Sequence, residues 1–291
     1  LMSATAAWSG GWTQRMYGTG GADVWEVFGS NSLTNISWKQ GWINLEPLQT
    51  SGFKNSAFLE YVTTTLQERS PRLVVMECPA KNWYQCTRPA PRTENARKQL
   101  EKKQREIMIP FLETASEIAK KQCEERHDFL LETLLTRLVM NLPLVREVTA
   151  DDNVSVCGGS SWNTGKQAWW LTSAPAITSQ LDNYNSLKGR AKNPVRMIKN
   201  VMLGFGETLH QKEPERIKSF LRSCDARIRG AGIYAEENMV NLVHLLANRL
   251  DHQQDPDIND TFAVFDEKTD IPEGGIEFDL PPEMHLSLIH I

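Results

Sequence analysis

The chain has 291 residues, of which 40% are hydrophobic and 23% charged, and its formal net charge is -4. These values suit a folded chain with one large α/β domain plus an extension, or two small domains, and they exclude a polycation, so any contact with nucleic acid must come from a local patch. No apolar run has the length of a membrane span, so no membrane partner is expected, and the opening residues lack the pattern of a signal peptide.

Residues 1–21 are rich in Gly, Ser, Thr and Ala and read as a linker. DVWEVFG then forms a short apolar run ending at Gly29, as a buried parallel strand does. SNSLTNISWKQG leads from a loop into a helix that Gly41 can stop, and WINLEP reads as a second strand. In residues 55–69, Phe58, Leu59, Val62 and Leu66 share one helical face. RLVVMEC is a strongly apolar strand, and a long charged stretch from 94 to 126 has helical periodicity with a kink expected at Pro110. DFLLE, NVSVC and QAWWLTS supply further strands.

This alternation implies a mostly parallel sheet with helices on both faces over residues 22–190. A helical extension follows over 191–254, with helices at about 195–208, 213–226 and 233–250. Residues 255–285 read as an acidic linker with a short strand at TFAVF. The closing LSLIHI, residues 286–291, resembles a translated sequencing-adapter tail, and the chain reads as a fragment.

The five cysteines, Cys78, Cys86, Cys123, Cys157 and Cys224, form no CxxC pair. That argues against a disulfide framework and a zinc site, and it points to a reducing compartment, cytoplasmic or nuclear. Cys123 and His127 are four apart, which reads as a buried thiol near a surface histidine rather than as two ligands of a metal. Adjacent Trp169 and Trp170 face opposite ways on a strand, and both read as packing residues.

Chemistry is expected at the strand ends. Phe28, Gly29 and Ser30 form a strand-to-helix turn where the backbone can approach a cofactor closely. Glu46 lies 20 residues after Glu26 and ends the WINLEP strand, where a carboxylate can accept hydrogen bonds from the two hydroxyls of a ribose. Cys78-Pro79 gives a rigid exit from a third strand that places Ala80 at the crevice, and DFLLE brings Glu132 beside it.

The order of these pieces resembles the DNA cytosine-C5 methyltransferases. Those proteins carry a Phe-x-Gly loop, an acidic ribose ligand, a Pro-Cys nucleophile loop and a Glu-Asn-Val strand end. Gly29, Glu46, Pro79-Ala80 and Glu132 stand in the matching places. A closer resemblance, over roughly residues 22–210, is to the methyltransferase-like domain of copia-type retrotransposon polyproteins of the kind found in dinoflagellate genomes. ECPAKNWYQ, RTENARKQLEKKQRE, ETLLTRLVMNLPLV and CGGSSWNTGKQAWWLTSAP carry it, keeping Pro79, Trp83, Glu132, Arg137, Leu138, Pro143, Cys157, Lys166, Trp170, Thr172 and Pro175.

The resemblance implies a Rossmann-like fold of the S-adenosylmethionine-dependent methyltransferases, with seven strands and the last antiparallel. Gly29, Glu46, Pro79 and Glu132 would then cluster at one edge. It implies S-adenosylmethionine over Phe28, Gly29, Ser30 and Pro79 with its ribose on Glu46, and other polyprotein domains as partners in cis. In such enzymes a thiolate attacks cytosine C6 of a flipped base while the glutamate holds the base ring.

The departures fall on the chemistry. Ala80 occupies the nucleophile position, Thr133 and Ser173 replace asparagines, the glycine loop is one residue short, and the target-recognition insert is missing. The implied function is a degenerate, inactive domain that retains cofactor or nucleic-acid binding. Two alternatives stay open: a methyltransferase using direct transfer without a cysteine, and a non-catalytic helical scaffold. Nucleic acid would meet Arg97, Lys98, Lys102 and Lys103 at the start of the charged helix; the competing reading is a solvated face with ion pairs such as Glu94–Lys98.

Overall fold

A computed structural model describes residues 21–48, 56–77, 93–103, 108–133, 142–161, 167–186, 193–231 and 237–252, together with residues 106 and 139. Apolar runs of four fix the first two strands. VWEV makes β1 (Val24–Val27) and LVVM makes β2 (Leu73–Met76), and every residue of both is buried. A strand covered on both faces needs no polar alternation. β1 pairs in parallel with β2, and β2 in parallel with β3 (Asp128–Thr133). β5 (Gln167–Thr172) lies antiparallel beside β3 and separates it from β4 (Ser155–Ser160), giving the order β1-β2-β3-β5-β4. The sheet is therefore mixed and five-stranded among the described residues, against the seven strands expected. Its last strand runs antiparallel, as the sequence suggested.

WINLEP forms isolated parallel bridges in place of a full strand. Asn44 bridges Val24 and Leu48 bridges Val27, so this segment advances four residues while β1 advances three. The extra residue is a bulge, and Pro47, which has no N–H to give a ladder, sits within it.

The helices divide between the two faces. α1 (Ser32–Lys39) follows β1 and stops where Gly41 takes a φ of 98°, a conformation glycine adopts without penalty. α2 (Ser56–Arg69) precedes β2. The charged stretch is two helices, α3 (Glu94–Lys103) and α4 (Ile109–Glu124). Pro110 is not a kink within one helix, as expected, but lies in the first turn of α4, where its missing N–H costs nothing. α5 (Pro143–Thr149) and α6 (Pro175–Ser186) were not anticipated. α7 (Pro194–Lys212), α8 (Pro214–Ala231) and α9 (Glu237–His252) complete the described chain.

Strand alternation sorts the core into two layers. Trp25, Val27, Val74, Met76, Phe129 and Leu131 face α2, α4 and α5. Val24, Leu73, Val75, Leu130 and Trp170 face the opposite way, onto α1, α6, α7, α8 and α9. The helices read as an extension thus share one face of the sheet with α1 and α6. α7 leads, burying Met197, Ile198, Val201, Met202 and Phe205. At about 25 cal/mol per Å² of apolar surface, this burial is the main stabilising term of that layer. Trp170 is fully buried while Trp169 is half-buried against Gly158.

No helix among the described residues is long and apolar enough to cross a membrane. Ala80, Pro79, residues 1–20 and the acidic stretch 255–291 lie outside the described residues.

Candidate functional site at the carboxyl ends of the strands

From β1 the chain turns to one side, through α1, to the bridged segment 44–48. It then returns through α2 to β2 on the other side of β1. The carboxyl ends of β1 and β2 therefore flank a topological switch point, where open α/β sheets take their ligands. Phe28, Gly29 and Ser30 follow β1 directly, and Glu132 stands near the carboxyl end of β3. Gly29 and Glu132 are accordingly at the same end of the sheet.

The loop after β1 is strained. Phe28 and Asn31 have φ of 66° and 67°, where residues with a Cβ are uncommon and a bulky one is an outlier. Packing compensates Phe28: its ring stacks on Phe58 at 5.5 Å and meets Phe111 edge-on at 5.0 Å, and its N–H donates to Leu48 O. The ring is buried in the core, so it offers the crevice its backbone only.

Two carboxylates that the sequence reading passed over hold this loop. Glu26 is fully buried, and its Oε2 accepts from both the N–H and the hydroxyl of Thr34 at 2.7 Å, capping α1. A Cβ on Gly29 would fall inside the Glu26 carboxyl group, so this approach requires glycine. Glu77, just past β2, accepts from the N–H of Ser30 at 3.2 Å. By strand alternation Glu26, Glu77 and Glu132 share one face of the sheet, that of α1 and α7. Met76 pairs with Leu131, which sets Glu77 level with Glu132.

Glu132 is 3% exposed, and its Oε2 is buried without a partner. Burial pushes its pKa up to about 7, against a lowering hydrogen bond from Ser161. Thr133 is likewise buried with its hydroxyl unpartnered.

Glu46 does not join this group. The bulge leaves it exposed alongside the middle of β1, in a shallow cavity of about 240 Å³ with Trp25, Tyr61, Thr65, Glu68 and Arg69. Its carbonyl accepts from the Trp25 indole at 3.1 Å. Ser173 is also elsewhere: at the amino end of β3 its hydroxyl accepts from Phe129 N–H and donates to Asp128.

No family model, curated protein or solved structure matches this chain.

The basic residues of α3 form a charged, exposed face. Glu94 pairs with both Arg97 and Lys98, and Lys102 pairs with Glu106, in the spacing of a solvated helix. The Lys103 side chain lies outside the described residues.

At the amino end of the sheet is a second cavity, of about 590 Å³, lined in part by Arg72, Cys123, His127, Thr208 and Lys212. Cys123 is half-buried and its thiol is pushed up to about 11 by burial. His127 is buried rather than on the surface, reversing the reading of that pair, and burial followed by the nearby Arg72, Lys212 and Arg216 lowers its pKa to about 4. Arg72 can only donate to His127 Nε2, so the neutral ring carries its proton on Nδ1. Lys212–Asp128 and Arg216–Asp23 tie α7 and α8 to the starts of β3 and β1. Among the described residues no group of His, Cys, Asp and Glu is placed to hold a metal ion.

Proposed function

We propose that residues 22–210 are a methyltransferase-like domain that binds S-adenosylmethionine at the Phe28–Gly29–Ser30 loop and does not methylate cytosine. The observation that carries this is that Gly29 and Glu132 lie at the same end of the sheet, beside the switch point after β1. An antiparallel last strand lying between its two predecessors supports it further. The reading leaves cytosine chemistry without a nucleophile, because Ala80 has no group to attack C6. Its setting is a retrotransposon-type polyprotein, with neighbouring domains in cis as partners.

Glu46 is exposed and away from the loop, so it is not counted among the cofactor residues of this proposal. Calorimetry with S-adenosylmethionine tests the cofactor; equal affinity of wild type and Glu46→Ala is expected, and a large loss in Glu46→Ala would restore that residue to the site. DNA carrying 5-fluorocytosine tests the chemistry. No covalent adduct is expected, and a trapped adduct would mean that another thiol acts as nucleophile.

A further inference from the structure

We infer that Glu26 sets the charge preference of the loop crevice: its carboxylate, sealed beneath Gly29, favours a positively charged ligand over the same ligand without the charge. This rests on the proposed reading that an adenosyl ligand lies over Phe28, Gly29 and Ser30.

Three observations carry it. First, the start of α1 is where doubly wound folds offer backbone N–H groups to phosphate. Here Thr34 N–H is already given to Glu26 and Ser30 N–H to Glu77, so two of the donors at this turn already face a carboxylate, which disfavours an anion. Second, Glu26 is 0% exposed, and its Oε1 has no hydrogen-bond partner although its Oε2 has two. A buried acceptor left unmet carries a standing cost. Third, that group lies directly under Gly29, close enough that no Cβ fits between, so its field reaches whatever rests on the loop. In a poorly screened setting a unit charge acts strongly over a few ångströms.

S-adenosylmethionine and S-adenosylhomocysteine share the adenosine and amino-acid parts; the first has a methylated sulfonium, the second a neutral thioether, so they differ by one positive charge and one methyl. The change in their affinity ratio on altering Glu26 separates the charge from the methyl. The experiment measures both affinities by calorimetry on wild type and Glu26→Gln. The wild type is expected to prefer the sulfonium. Glu26→Gln keeps an oxygen for Thr34 and is expected to lower that preference by about tenfold. A purely structural role for Glu26 would weaken both ligands alike, and an unchanged ratio overturns the inference while leaving the cofactor reading standing. If Glu26→Gln does not fold, the wild type decides, since equal binding of the two compounds overturns the inference on its own. Binding of neither compound overturns the cofactor reading and this inference with it.

Discussion

Two buried groups at opposite ends of the sheet give this protein opposing responses to pH. Glu132 is raised from an ordinary 4.5 to about 7, mainly by burial. Its native form keeps a proton that the unfolded chain gives up, so its contribution is full below 4.5 and is lost as pH rises towards 7. His127 is lowered from 6.5 to about 4 by burial and by its cationic neighbours. Its contribution is full above 6.5 and is lost as pH falls towards 4, because the unfolded ring takes up a proton the native one refuses. Glu132→Gln should therefore gain stability over wild type as pH rises from 4.5 to 7, on the order of 1–3 kcal/mol in urea titrations. A constant difference across that range would place Glu132 in water. His127→Gln should gain over wild type in the other direction, on acidification from 6.5 to 4, and a flat difference there would refute the burial argument. Glu132 was legible because it ends an apolar run. Glu26 carried the same signal, a lone carboxylate inside VWEVF, but read as part of the strand. Its partner is the backbone and hydroxyl of Thr34 eight residues on, which no periodicity announces.

At the scale of elements, most helices were legible, even α1 with its eight residues, and two were not. α7, α8 and α9 fall where their periodicity puts them, whereas α5 has only seven residues and α6 begins at Pro175, directly after the exit from β5. WINLEP reads as a strand because sequence alternation does not show a bulge, and the bulge is what moves Glu46 away from the strand end. Two glycines of α7 give a graded test of helix packing. A Cβ at Gly204 would lie 2.7 Å from the carbonyl oxygen of Ala176, which is backbone and cannot yield. At Gly206 it would lie 2.7 Å from Leu246 Cδ2, the end of a flexible side chain. Gly204→Ala should thus cost about 1–3 kcal/mol and Gly206→Ala less. The reverse ranking in thermal melts would mean that α6 and α7 do not cross as described. For α3, the ion pairs Glu94–Lys98 and Lys102–Glu106 favour the solvated reading of its face. Charge reversal at Lys98, Lys102 and Lys103 is then expected to leave affinity for a short duplex, and its dependence on salt, unchanged. A flattened salt slope would instead show phosphate contact through counterion release.

For the whole molecule, the boundary suggested by sequence at about residue 190 cuts through the core. Val24, Leu73, Val75 and Leu130 on the sheet pack with Met197, Val201 and Phe205 of α7, and two ion pairs fasten α7 and α8 to the strand starts. A piece comprising residues 22–190 should be insoluble or bind a hydrophobic dye, while residues 22–252 should melt cooperatively. A folded, monomeric 22–190 would contradict the layer as described. The placement of β5 between β3 and β4 has a consequence for synthesis. A ribosome delivers β4 first, and among the described residues the strand bonded to β4 is β5, so β4 emerges before its partner and waits until residues 167–172 have cleared the exit tunnel. Until then the open side of β3 and both sides of β4 are bare, and a nascent chain that has emerged only as far as residues 160–167 exposes more strand edge than one that has emerged to just before β4 or past β5. That interval is where this protein calls most on a chaperone.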